Sequence, residues 1–155
     1  MKTIRVYADT SVFDGAYDEG LEQPNPTLFA QVRSGQFALI TSAVVQDEIA
    51  AAPLAVRRFF DEMLGFAEVA DITASALDLR DAYLQARIVA AKHSDDALRG
   101  ALATVAGCTL IVSWNFQHIV HFQKIPLSCV PQLIALLAHV PTQNPCSEAF
   151  CLVRI

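Results

Sequence analysis

Short apolar runs alternate along the chain with segments of helical periodicity. Ile4-Arg5-Val6-Tyr7-Ala8 reads as a buried strand that stops at Asp9-Thr10-Ser11. Residues 12–23 hold Gly15 and Gly20 and read as a loop or a broken helix. After Pro24 and Pro26, residues 27–33 form a helix closed by Ser34-Gly35, and Phe37-Ala38-Leu39-Ile40 is a second strand. Thr41-Ser42 can cap the next helix, which carries Val44, Val45, Glu48 and Ile49 at helical spacing and is broken by Pro53. A helix over Leu54–Met63 and a third strand over Phe66–Val69 follow. Thr73 caps a helix that carries Ala76, Leu77, Leu79, Ala82 and Tyr83 and continues toward Ala90. Ser94 caps another, with Asp95 and Asp96 in its first turn and Gly107 at its end. Thr109-Leu110-Ile111-Val112 is the clearest strand and ends at Ser113-Trp114-Asn115. A last helix is expected over Pro126–Leu137, interrupted by Pro131 unless that proline lies near a helix start.

Strands alternating with helices imply an α/β domain with a mostly parallel central sheet covered on both faces. In such sheets, sites gather at the carboxyl ends of the strands. Asp9 and Asn115 both stand just past such ends. No internal repeat, low-complexity segment or linker divides the chain, so residues 1–155 read as one domain.

Composition narrows this picture. With 54% hydrophobic and 17% charged residues, the chain suits a well-buried globular fold. No apolar run is long enough to span a bilayer, and the first residues enter structure at once. No membrane association and a cytoplasmic location are therefore expected. A formal net charge of −5 disfavours a general nucleic-acid coat. It leaves room for an enzyme that grips phosphate through a metal and a few local cations. Cys108, Cys129, Cys146 and Cys151 make no CxxC pair or zinc spacing, and read as reduced cytosolic thiols.

Three acids carry the candidate chemistry. Asp9 closes the first strand, Glu48 follows Ala43-Val44-Val45, and Asp96 opens Asp96-Ala97-Leu98-Arg99-Gly100-Ala101-Leu102-Ala103. Each lies beside residues that should pack into one core, so the three can converge. Carboxylates are seldom buried without a partner, and a cluster of them calls for a hard divalent cation such as Mg²⁺ or Mn²⁺. Each acid also has a plain structural alternative: Asp9 as a cap, Asp96 as a complement to a helix N-terminus, Glu48 as a solvated helix acid.

In this order the motifs resemble the PIN domain, the nuclease fold of many VapC-type toxin ribonucleases. Asp9-Thr10-Ser11 is similar to the family's first motif. Residues 42–49, Ser-Ala-Val-Val-Gln-Asp-Glu-Ile, are similar to the second, and His93-Ser94-Asp95-Asp96-Ala97-Leu98 to the third. Val112-Ser113-Trp114-Asn115-Phe116-Gln117-His118-Ile119 is similar to a fourth motif of one subgroup, and Ile125-Pro126-Leu127 gives a closing echo. The resemblance implies a three-layer α/β/α domain with a central, mostly parallel sheet. It implies Asp9, Glu48 and Asp96 as metal ligands and catalytic acids, with Asn115 as a further catalytic residue where many relatives carry Asp. Asp96 is preferred to Asp95 because Ala97-Leu98 follow it directly. Thr10 and Ser11 are candidates for holding a metal-bound water or a phosphate oxygen.

The function so implied is an Mg²⁺- or Mn²⁺-dependent endoribonuclease, the toxin of a toxin–antitoxin pair. Its expected partners are an RNA substrate, a small antitoxin and a second copy of the chain. Two departures stand out: Arg99 where the subgroup often has His, and Ser128-Cys129 where Tyr-Asn commonly follows. A non-catalytic PIN module that binds RNA or a protein is the alternative. A haloacid-dehalogenase-like phosphotransferase ranks low, because its second Asp would fall on Ser11. His93, His118, His121 and His139 show no ligand spacing and read as structural or surface residues, and Arg57, Arg58, Lys92 and Arg99 read either as ordinary surface charges or as a rim that could face RNA.

Overall fold

The computed structural model describes residues 3–14, 26–87, 89–113 and 151–154. The strands are β1 (Ile4–Ala8), β2 (Phe37–Ser42), β3 (Ala67–Ala70), β4 (Leu110–Ser113) and β5 (Cys151–Arg154). The helices are α1 (Thr10–Asp14), α2 (Pro26–Arg33), α3 (Ala43–Ala50), α4 (Leu54–Leu64), α5 (Ala74–Gln85) and α6 (Ser94–Val105). A single 3₁₀ turn, Ala91–His93, leads into α6. The expected helix over Pro126–Leu137 lies outside the described residues, as do Trp114 and Asn115.

The strands form one sheet in the order β3-β2-β1-β4-β5. β1 pairs in parallel with β2 and β4, β2 pairs in parallel with β3, and β5 is antiparallel to β4. From β1 the chain therefore steps outward through β2 to β3 and then returns to the other side of β1. Right-handed crossovers place the helices of the two excursions on opposite faces. The aromatic packing agrees. Phe13 of α1 meets Phe60 of α4 edge-on at 4.9 Å and Phe29 of α2 at 5.7 Å, while Phe29 meets Phe59 edge-on at 4.9 Å. α5 and α6 pack on each other and α6 on β2, which covers the second face. Both faces being covered, β1 and β4 have little need of apolar–polar alternation, and Val6, Tyr7, Ala8 and all of β4 are buried.

Local chemistry sets the ends. α2 and α6 both close with a left-handed glycine, Gly35 at φ +77° and Gly107 at φ +68°. In each, the amide after the glycine reaches back to the carbonyl five residues earlier, Gln36 to Gln31 and Cys108 to Ala103. Arg5 fastens α6 to the sheet, its Nε donating to the Ala106 carbonyl at 3.0 Å and its Nη2 to Glu68 at 2.9 Å. With its C-terminus held at the start of β1, α6 points its N-terminus, and Asp96, toward the carboxyl end of the sheet.

The chain turns helical at Thr10, directly after Asp9, and residues 15–23 of the expected loop or broken helix lie outside the described residues. Two sequence expectations need correction. The helix after Thr73 stops at Gln85 instead of continuing toward Ala90: Arg87 takes a left-handed φ of 55°, and Val89 is drawn into the core. Ser94 lies inside α6, and the cap position falls on His93, which makes no side-chain cap bond. Of the Thr41-Ser42 pair, Ser42 is the cap of α3, its Oγ accepting from the Val45 amide at 3.4 Å.

The aromatic cluster is the joint between α1 and the helices that cover its face. Phe13→Ala should cost about 3–5 kcal/mol, the usual loss for emptying a buried aromatic site. Urea denaturation should show a lower midpoint with an unchanged slope.

Candidate functional site

The return of the chain from β3 to β4 creates a topological switch point between β1 and β4, and open α/β sheets use the carboxyl side of that crevice for ligands. Asp9 occupies it. The strand pairing continues past Ala8, with the Asp9 amide donating to the Val112 carbonyl at 3.3 Å. Register then sets Asp9 beside Ser113, the last residue of β4.

Asp9 is 5% exposed, and its side chain is held from two directions. Its Oδ1 accepts from the Ser11 amide at 3.0 Å and from Ser11 Oγ at 2.5 Å. Its Oδ2 accepts from Ser113 Oγ at 2.6 Å. The Ser11 contacts make Asp9 a cap of α1, so its plain structural role is real. The Ser113 bond, from the neighbouring strand β4 and a residue distant in sequence, serves no cap. Burial pushes the Asp9 carboxyl above its ordinary pKa, and the serine hydroxyls and the charge of Arg99 only partly oppose this.

Glu48 and Asp96 meet through Arg99. Glu48 leaves α3 with its side chain 39% exposed, while Asp96 in the first turn of α6 is 12% exposed. One turn further along α6, Arg99 donates from Nη1 to Asp96 Oδ1 at 3.1 Å and from Nη2 to Glu48 Oε1. The other Glu48 oxygen accepts from Thr10 Oγ1, which joins this group to the residue after Asp9. His93 Nδ1 lies 3.7 Å from Asp96 Oδ2. Burial works against the charged guanidinium, yet Glu48, and then Asp9 and Asp96, hold the pKa of Arg99 above its ordinary value. Arg99 Nε is buried with no partner among the described residues, which costs about 1–3 kcal/mol or more for a charged donor.

The expected acids are thus gathered at one end of the sheet with Thr10 and Ser11 between them. Asp95 and Asp47 are exposed, as is Glu48, while Asp96 is partly buried. Asn115 lies outside the described residues. Arg99 is not part of a solvent-facing rim: its side chain is 17% exposed and turned into the acids, while Arg57, Arg58 and Lys92 are exposed. Sequence reasoning missed three members of the group: Ser113, His93 and Arg99. The available signal was positional. Ser113 ends the strand paired with β1, and His93 and Arg99 lie three residues either side of Asp96, on its face of the helix.

Carboxylate and hydroxyl oxygens suit a hard divalent cation. The arrangement does not offer one a place. Among the described residues, no three Asp, Glu, His or Cys side chains stand together so as to hold a metal ion. Glu48 and Asp96 instead share the Arg99 guanidinium. Cys108 offers no alternative chemistry, since burial pushes its thiol up to about 12.

No family model matches the chain, and no curated protein matches it. Among solved structures, it is similar to the crystal structure of VapBC2 from Rickettsia felis bound to a DNA fragment from their promoter. The TM-score is 0.55 at 17% identity, over 79% of this chain and 94% of that one. The fold is therefore α/β and PIN-like, as the motif order implies. Among the described residues, no helix is long and apolar enough to cross a membrane.

Asp9 gives a test of the electrostatics. Its folded pKa lies above the unfolded one, so the folded state holds the proton more tightly. That stability is full below the ordinary value of 3.8 and is lost as pH rises through the folded pKa. In EDTA at pH 7, Asp9→Asn should melt higher than wild type, by on the order of a few degrees. The difference should vanish toward pH 3 in paired thermal melts.

Proposed function

We propose that this chain is a ribonuclease, a hydrolase of RNA phosphodiester bonds that depends on Mg²⁺ or Mn²⁺ and serves as the toxin of a toxin–antitoxin pair. The observation that carries this reading is the gathering of Asp9, Glu48 and Asp96 at the switch point of a PIN-like sheet. The likeness in fold to VapBC2 supports it. A small antitoxin, a homodimer and a cytoplasmic location belong to the same proposal.

In this reading Asp9, Glu48 and Asp96 would be the residues to hold the cation, and the chemistry it would supply is charge neutralisation at the phosphate and a more acidic water. The chain's own groups divide the remaining work. Ser11 and Ser113 fix both Asp9 oxygens, so this acid keeps its place as ligands come and go. Glu48 is the most exposed of the three acids and the one suited to accept a proton at a carboxylate oxygen. The hydroxyls of Thr10 and Ser11 can turn from the acids to phosphate oxygens. Asn115, following the strand that carries Ser113, orients water or substrate through its amide without adding charge.

A second reading has one observation in its favour. Glu48 and Asp96 are both engaged by Arg99, as they would be in a PIN module that binds RNA or a protein without cutting.

Cleavage assays separate the two. Purified wild-type protein should cut RNA with Mn²⁺ or Mg²⁺ and stop in EDTA. Asp9→Asn and Asp96→Asn should each lose cleavage by about a hundredfold or more, with circular dichroism unchanged. Full cleavage by either variant would remove that acid from the site, and RNA binding without cutting by wild type would favour the second reading. Asn115→Ala should weaken cleavage by roughly tenfold, well short of the loss at Asp9, because an amide supplies no formal charge.

A further inference from the structure

We infer that Arg99 is the internal counter-ion of the crevice: by pairing with Glu48 and Asp96 it lowers the negative field that an RNA backbone meets at the carboxyl end of the sheet. The inference rests on RNA binding, which the ribonuclease reading and an RNA-binding PIN module share, and on no cleavage step.

An acidic crevice is a poor place to receive a polyanion. The chain as a whole carries a formal net charge of −5, and the acids at the switch point add a local charge of the same sign. Low-dielectric walls focus such a field onto whatever enters. Arg99 opposes it from within. Its Nη2 donates to Glu48 Oε1 from α3, and its Nη1 to Asp96 Oδ1 from α6 at 3.1 Å. Glu48 and Asp96 together bring two negative charges and the guanidinium returns one, so the trio presents one.

The placement is specific. The contact to Asp96 follows from helix spacing, three residues apart on one face. The contact to Glu48 spans 51 positions and exists only because α3 and α6 converge. The planar fork of arginine holds both acids at once, where lysine would reach one at a time. Side-chain exposures of 17% for Arg99 and 12% for Asp96 withdraw this pair from water, where screening is weakest. Arg99 does not have to touch RNA to act. It is a positioning residue for the two acids, and its charge works through the field.

The test is binding of a labelled single-stranded RNA to the full chain in EDTA at low salt, followed by fluorescence anisotropy, with every variant checked by circular dichroism. Arg99→Gln should bind about threefold more weakly than wild type or worse, and the gap should narrow as salt is raised. Arg99→Lys keeps the charge and should stay within about twofold of wild type. The double variant Glu48→Gln/Arg99→Gln should recover wild-type affinity, because its trio again carries one negative charge. A folded Arg99→Gln that binds RNA as well as wild type overturns the inference. So does a double variant as weak as Arg99→Gln, since the loss would then come from shape and not from charge. Should Arg99→Gln fail to fold, Glu48→Gln decides: it should bind RNA more tightly than wild type, and affinity no higher overturns the inference. Absence of RNA binding by wild type overturns the RNA readings and the inference together.

Discussion

A carboxylate buried at the end of a central strand has to be compensated where it stands, and the rest of this site is arranged around that constraint. Asp9 follows β1, the middle strand of the sheet, and is almost wholly removed from water. An isolated buried carboxylate costs several kcal/mol. Here the cost is reduced by the amide and hydroxyl of Ser11 and by the hydroxyl of Ser113. The first pair comes from the helix that Asp9 itself starts, and the second from the strand that the sheet order places beside it. Local capping and long-range topology therefore meet on one side chain.

The same topology brings the other acids. α6 is fixed at its C-terminus by Gly107 and by Arg5, a residue of β1, so its first turn extends over the end of the sheet where Asp9 lies. α3 starts without a loop from β2, capped by Ser42, and carries Glu48 to the same end. Ser42 is itself held by a 2.8 Å hydrogen bond to Tyr7, one strand over and two residues before Asp9. Arg99 and Thr10 then tie the helices to each other and to α1. The acids are held in place by groups that also define the fold, which makes the site a product of the architecture rather than of a mobile loop.

Much of this was legible in the sequence. The apolar runs at residues 4–8, 37–40 and 109–112 are strands, although β2 extends to Ser42 and β4 begins one residue later. The glycines at 35 and 107 mark helix ends because a left-handed turn strongly favours glycine there. What the sequence concealed were choices decided by tertiary packing. The helical pattern beyond Gln85 yields where Arg87 turns left-handed and Val89 enters the core. Ser94 has the chemistry of a cap, but the 3₁₀ turn before it shifts that position to His93. The acids were legible because apolar frames made them conspicuous. Arg99 was not, since a cation on an amphipathic helix ordinarily faces water, and only the placement of α3 against α6 turns it inward. Ser113 looked like the end of a strand, and its bond to Asp9 depends on a pairing between residues far apart in the chain.

The central proposal is that Asp9, Glu48 and Asp96 act together in cation-dependent cleavage of RNA. Anomalous diffraction from crystals grown in EDTA and then soaked in Mn²⁺ tests it most directly. The account predicts one strong manganese peak among the three carboxylates. Manganese bound elsewhere, or no manganese at a saturating soak, would contradict it.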